Sequence, residues 1–167
     1  LIMGKRNDDI VLQEIRKEEL QRIPNMYGDV IKSVQILSGV ASNNEFSSAY
    51  NVRGGSYDEN LVYLNGFEIY RPFLLKQGIE ENQSLVNQDM ADDIKFHNGV
   101  FSPKFGDKLS SALEINYKRD FSSILQGTIR ADLFNAGLTF NQKIGNFSYI
   151  SGMRIAYPSL FLNRLHL

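Results

Sequence analysis

A chain of 167 residues with 18 basic and 19 acidic side chains carries a formal charge of -1, which argues against a nucleic-acid binder working through a phosphate-neutralising face. Zero cysteines remove disulfides, thiolate metal sites and thiol nucleophiles together. With only His97 and His166 as histidines no acid, base and nucleophile set is visible, so neither an enzyme nor a cofactor is expected.

No apolar run approaches the roughly 18 residues of a spanning helix, so a membrane role has to use strands. Leu1 to Arg6 has too short an apolar run, with its charges on the wrong side, for a secretory leader. Ile10, Val11 and Leu12 read equally as one short strand or an extended tail. Glu14 to Arg22 is rich in helix formers and is expected to be a surface helix, closed by Pro24, which disfavours helical geometry at Ile23. A second helix is expected after Asp29 as N-cap, with Val30, Ile31, Val34 and Leu37 on one core face and Gly39 at the C′ position. Ala41 to Ser48 is a polar loop whose tip, Asn43, Asn44, Glu45 and Phe46, either connects or touches a ligand.

Next comes Asn51-Val52-Arg53-Gly54-Gly55, where an arginine with no partner near it in sequence precedes a flexible glycine corner. Leu61 to Tyr70 is a hairpin signal, two apolar-rich runs around Asn65-Gly66, the pair that tolerates the positive φ angles of a type I′ turn. Arg71-Pro72-Phe73 ends the strand, and Lys76 to Asp93 is a polar excursion. Its acids Glu80, Glu81, Asp89, Asp92 and Asp93 lack the spacing and glycine of a calcium loop, so a solvated acidic face and no metal is expected. Ile94-Lys95-Phe96 is a short strand ending at Asn98-Gly99, Phe101 to Gly106 a loop with aromatic pins, and Leu109 to Lys118 a half-buried strand.

From Leu125 onward glycine-punctuated alternation replaces helical signals. Ile129, Ala131 and Leu133 oppose Arg130 and Asp132, while Leu138 and Phe140 oppose Thr139 and Asn141; a β-bulge near Asn135-Ala136-Gly137 would explain the slip in phase. After Gly145-Asn146, Phe147, Tyr149, Met153, Ile155 and Tyr157 form one face. Each of these two strands is about 10 residues or longer, enough to cross a bilayer when tilted. Two such strands cannot hide their apolar face alone, so further strands are expected beyond Leu167.

In this order the motifs resemble the TonB-dependent outer-membrane receptors, over roughly residues 23–163. Ile36-Leu37-Ser38-Gly39-Val40 resembles the family's leucine-proline-glycine-valine, with Ser38 in place of proline. Asn51 to Gly55 looks like its isoleucine-arginine-glycine motif, and Leu64-Asn65-Gly66 like its valine-aspartate-glycine hairpin. Ile94 to Val100, ending later in Phe105-Gly106, is similar to isoleucine-glutamate-valine-leucine-arginine-glycine-proline and a later tyrosine-glycine; the family's second arginine falls on Asn98 and its proline on Val100. Leu113 to Lys118 resembles the strand that closes the plug. Val52 to Tyr63 looks like a branch with an extra carboxypeptidase-regulatory-like domain before the plug, which has no counterpart in these residues.

The resemblance implies an α+β plug domain, short helices with a small mixed sheet, followed by the first antiparallel hairpin of a transmembrane β-barrel that has 22 strands in the family. It divides the chain into lead-in and short helix (1–22), plug (23–120) and first barrel strands (121–167). It implies energised uptake of a scarce nutrient (siderophore, glycan or peptide) across the outer membrane. Its partners would be the inner-membrane TonB complex, the rest of the barrel, outer-membrane lipid and a candidate surface lipoprotein. Arg53 would be a latch held by barrel glutamates. Gly54, Gly55, Gly66, Gly99 and Gly106 would be motif glycines, and Asn43, Asn44, Phe46 and Arg71 candidates for the substrate-facing apex. A different class stays open on the residues alone: a soluble periplasmic interaction module whose last strands pair with another chain.

Overall fold

The computed structural model describes residues 12–16, 29–42, 48–73, 84–98, 105–106, 108, 110–132 and 135–157. Strands β1 (Leu12–Arg16), β4 (Asn60–Leu64), β5 (Phe67–Glu68), β6 (Ala91–Asn98) and β7 (Ser111–Tyr117) form a five-stranded sheet in the order β1-β6-β7-β4-β5. Its neighbours are antiparallel except for β4 and β7, which run parallel. A ribbon of β2 (Val40–Ala41) and β3 (Asn51–Val52) stands beside it, and β8 (Gln126–Ala131), β9 (Asn135–Ile144) and β10 (Phe147–Ala156) make a separate antiparallel sheet.

Register decides where the core sits. Ile15 lies opposite Ile94, Ile94 opposite Ile115, Phe96 opposite Leu113 and Leu113 opposite Val62, so one face of the sheet is apolar across four strands. Helix α1 (Val30–Val34) contributes Val30, Ile31 and Val34 to the same core cluster. The other face carries a smaller cluster of Leu61, Ala112 and Phe105 with Tyr63 against it. Asp29 caps α1 as expected, its Oδ1 accepting the Ile31 N–H at 2.8 Å, a bond whose loss typically costs about 1 kcal/mol. The helix stops sooner than its apolar stripe suggests. Gln35 N–H donates to Lys32 C=O and Leu37 N–H to Val34 C=O, tighter i to i+3 bonds that end it at Val34, five residues before Gly39.

Two expectations fail. Glu14 to Arg16, placed in a surface helix by composition, belong to strand β1; residues 17–22 of that segment lie outside the described residues. Helix propensities differ by only tenths of a kcal/mol per residue, less than a strand gains by pairing with β6 and burying Ile15 on Ile94. The slip in phase after Ala131 is a chain reversal and not a bulge. Ala131 pairs with Ala136, and the Asp132 N–H donates to Asn135 C=O at 2.8 Å. A hairpin places cross-strand partners on one face whatever their spacing in sequence, so Ile129 lies opposite Leu138 without an extra residue.

The last sheet is apolar on its outer face. Ile129, Phe140, Ile144, Phe147, Met153 and Ile155 are exposed, Ile129 at 84%, whereas Asn135 and Thr139 on the other face are buried. No helix among the described residues is long and apolar enough to cross a membrane.

Candidate functional site

The arginine-glycine corner is built from two directions. Ribbon β2–β3 delivers Arg53 to a turn in which its φ is +50° and that of Gly54 +83°, closed by Gly55 N–H to Val52 C=O at 2.9 Å. This is the type I′ geometry also found at Asn65 (φ +52°) and Gly66 (φ +87°). Asparagine suits that backbone; arginine pays about 1 kcal/mol for it. Gly55 is required by close approach. A Cβ there would lie 1.9 Å from Ser110 Oγ and 2.7 Å from Glu59 Oε2, because these two side chains hydrogen-bond at 2.6 Å across the corner. Glu59 sits in a 3-10 turn (Tyr57–Glu59), and the Lys108 ammonium donates to the Asp58 carbonyl. The Arg53 side chain is exposed, and among the described residues no carboxylate meets it.

Beside the corner lies a cleft of about 480 Å³ with Tyr50, Tyr57, Glu68, Tyr70, Arg71 and Lys108 among its lining side chains. Charges of both signs surround apolar surface, an arrangement suited to holding a ligand in place. The Ser56 hydroxyl holds the exposed Asp58 carboxyl below the usual range, helped by backbone hydrogen bonding and nearby Lys108. Burial pushes the Tyr50 hydroxyl up to about 12, with Ser111 pulling the other way.

Of the predicted residues, Arg53, Gly54 and Gly55 form the corner and Arg71 lines the cleft. Gly66 closes the β4–β5 hairpin, whose Asn65 side chain accepts the Tyr117 N–H at 2.8 Å. Gly106 faces open space. Asn43, Asn44, Phe46 and Gly99 lie outside the described residues. Asn98 turns inward, its amide donating to Ser38 C=O at 2.9 Å. His97 packs against Phe105 with ring centroids 4.9 Å apart.

The sequence reading of a solvated acidic face is overturned at Asp89. Its carboxylate is 5% exposed and accepts from Nε of Arg130 at 2.9 Å and Nη2 at 2.5 Å. On β10, Arg154 donates from Nη1 to Val86 C=O at 3.3 Å and from Nη2 to Ser84 C=O. Gly152 lets the sheet close on this segment, since a Cβ there would lie 2.7 Å from the Asn87 amide nitrogen. A signal was present. Arg130 and Arg154 both stand on the polar side of strands whose other side is apolar, and inward guanidiniums require acceptors.

The mixed sheet is joined, through the segment from Ser84 to Met90, to the polar side of an antiparallel sheet whose outer face is apolar. The model for the TonB-dependent receptor plug domain matches residues 5–112, and the chain belongs to that family. Such proteins lie in the outer membrane with the plug inside the barrel, and the family is one of transporters, not enzymes. Among solved structures, a variant of the ferric enterobactin receptor PfeA of Pseudomonas aeruginosa bound to enterobactin superposes with a TM-score of 0.62 at 15% identity, over 88% of this chain and 24% of that one. The outer-membrane transporter YddB of Escherichia coli gives 0.62 at 12% identity, covering 86% and 26%. The alcaligin receptor FauA of Bordetella pertussis gives 0.55 at 11%, covering 93% and 28%. The chain therefore spans about a quarter of the length of these receptors. A comparison with curated protein sequences finds no match.

Proposed function

We propose that this chain supplies the plug and initial wall strands of a transporter that takes up a scarce nutrient across the outer membrane, driven by the inner-membrane TonB complex. The observation that carries this reading is the contact of the segment from Ser84 to Met90 with the polar face of β8–β10, through Arg130 and Arg154, with the apolar face of those strands turned outward. A soluble periplasmic module would have to hide that apolar face elsewhere. In this division residues 1–22 are a lead-in that lends β1 to the sheet, 23–120 the plug and 121–167 the wall. An iron siderophore is the leading substrate, since similar folds include receptors for enterobactin and alcaligin. A glycan or peptide, delivered with a surface lipoprotein, is the alternative.

Arg53 acts as a latch. Its costly backbone conformation and exposed guanidinium fit a residue kept for a carboxylate on another part of the wall. The test uses the intact receptor in cells, with and without TonB, offered ferric siderophores, oligosaccharides and peptides. TonB-dependent uptake of one class is expected, reduced several-fold by Arg53→Ala with faster hydrogen exchange in the plug. Uptake of none of them would refute the transport reading; unchanged uptake and exchange in Arg53→Ala would refute the latch alone.

A further inference from the structure

We propose that Arg130 and Arg154 form a two-point clamp by which the wall holds the plug through the segment from Ser84 to Met90, with Asp89 as its ionic partner. The proposal rests on the reading of β8–β10 as barrel wall and adds a second connection, of opposite polarity to the Arg53 latch: here the wall supplies the cations and the plug the acceptors.

The clamped segment is tied into the plug at Ser84, Leu85, Asn87 and Met90. The Ser84 N–H donates to Asp29 Oδ2 at 2.6 Å, and Asp29 caps α1 with its other oxygen. Leu85 N–H donates to Pro72 C=O at 2.6 Å, Asn87 N–H to the Tyr117 hydroxyl at 3.2 Å, and Met90 C=O accepts from Lys118 N–H at 2.9 Å. Asp89 N–H is held by the Asn87 side chain at 3.0 Å, so the carboxylate is presented on a braced turn. Through Ser84, whose carbonyl takes Arg154 and whose amide meets Asp29, the wall is joined by consecutive hydrogen bonds to the buried start of α1.

Chemistry separates the two points. Arg130 meets a carboxylate; removal of Arg130 strands the buried Asp89 charge, whereas removal of Asp89 leaves the partly buried guanidinium with only the nearby Asp132 carboxylate acting on it. Arg154 meets two main-chain carbonyls, contacts that survive any side-chain substitution in the plug and require only that the turn keep its shape. The first point therefore depends on charge and the second on backbone conformation. Together they fix both the position and the fold of the segment that leads into β6.

The test is a charge exchange in the full-length receptor, followed by hydrogen exchange of residues 84–90 and by entry of a large, normally excluded antibiotic into cells lacking TonB. Asp89→Asn and Arg130→Gln are each expected to speed exchange across 84–90 by about tenfold or more and to raise antibiotic entry. The double variant Asp89→Arg with Arg130→Asp restores protection at least in part, which a purely steric role would not do. Arg154→Gln, which leaves the ion pair intact, is expected to speed exchange mainly at 84–86. Unchanged exchange in the single variants, or an exchanged pair no better protected than either single variant, overturns the clamp. Failure of the unmodified receptor to give a heat-modifiable barrel in detergent would instead remove the wall reading, and the clamp with it.

Discussion

The two sheets bury opposite kinds of side chain. In the plug sheet Ile94, Phe96, Leu113 and Ile115 are sealed in one cluster with α1, while in the wall sheet Asn135 and Thr139 are buried and Ile129, Phe147, Met153 and Ile155 stand outside. Both are built from strands of alternating character, so the alternation itself does not say which face is inside. What decides is the cover. Helix α1 supplies it for the plug, whereas the last sheet turns its polar side to the segment from Ser84 to Met90 and leaves its apolar side exposed.

That contrast can be broken at its two faces. Truncating the fully buried Phe96 to alanine is expected to cost the plug about 3–5 kcal/mol, read as a loss of protection of β6 and β7 in hydrogen exchange. A charge on the outer face comes next. Ile129→Arg is expected to destabilise the wall by about 2–4 kcal/mol near the bilayer midplane, measured by unfolding from lipid vesicles. On a water-facing sheet the same substitution at an 84% exposed position would change stability by about 0.5 kcal/mol or less, and such a result would return the face to solvent.

The smallest effect sharpens the plug side and is seen only in alkali. The Tyr50 hydroxyl is raised above its unfolded value of 10.0 to about 12, so its contribution is fully present below pH 10 and is lost as pH rises from 10 to 12. By pH 11 the plug is expected to have lost about 1 kcal/mol from this group, and Tyr50→Phe should remove that part of the pH dependence. Parallel stability profiles of the two proteins between pH 9 and 11 would contradict this.

Much of the plug was legible because local chemistry is specific there. Asp29 before an apolar stripe announced a capped helix, and Asn65-Gly66 between apolar runs announced the type I′ hairpin. Arg53-Gly54 takes the same turn, which its composition did not announce, since arginine is not chosen for that backbone on its own account. The sequence signalled that Arg130 and Arg154 need acceptors, but for a different reason it did not signal that Asp89 is one of them. A carboxylate in a polar stretch looks solvated until the strand that covers it is in place, and Arg130 lies 41 residues further along the chain. The helix expected from Glu14 onward misled over Glu14 to Arg16 because propensity is a weak local preference and the open edge of β6 is a strong distant one.

By itself the sequence determined the repertoire: a capped helix, a tight hairpin, a glycine corner after an arginine, and long alternating strands at the end. Those signals are short-ranged, set by backbone sterics and by the period of side chains along a strand. Only the tertiary structure decided which face of each sheet is covered, that the first described strand closes the plug sheet, and that the wall grips the plug through Arg130 and Arg154. These depend on which distant segments meet, and partners are chosen by burial and charge after the local pieces have formed.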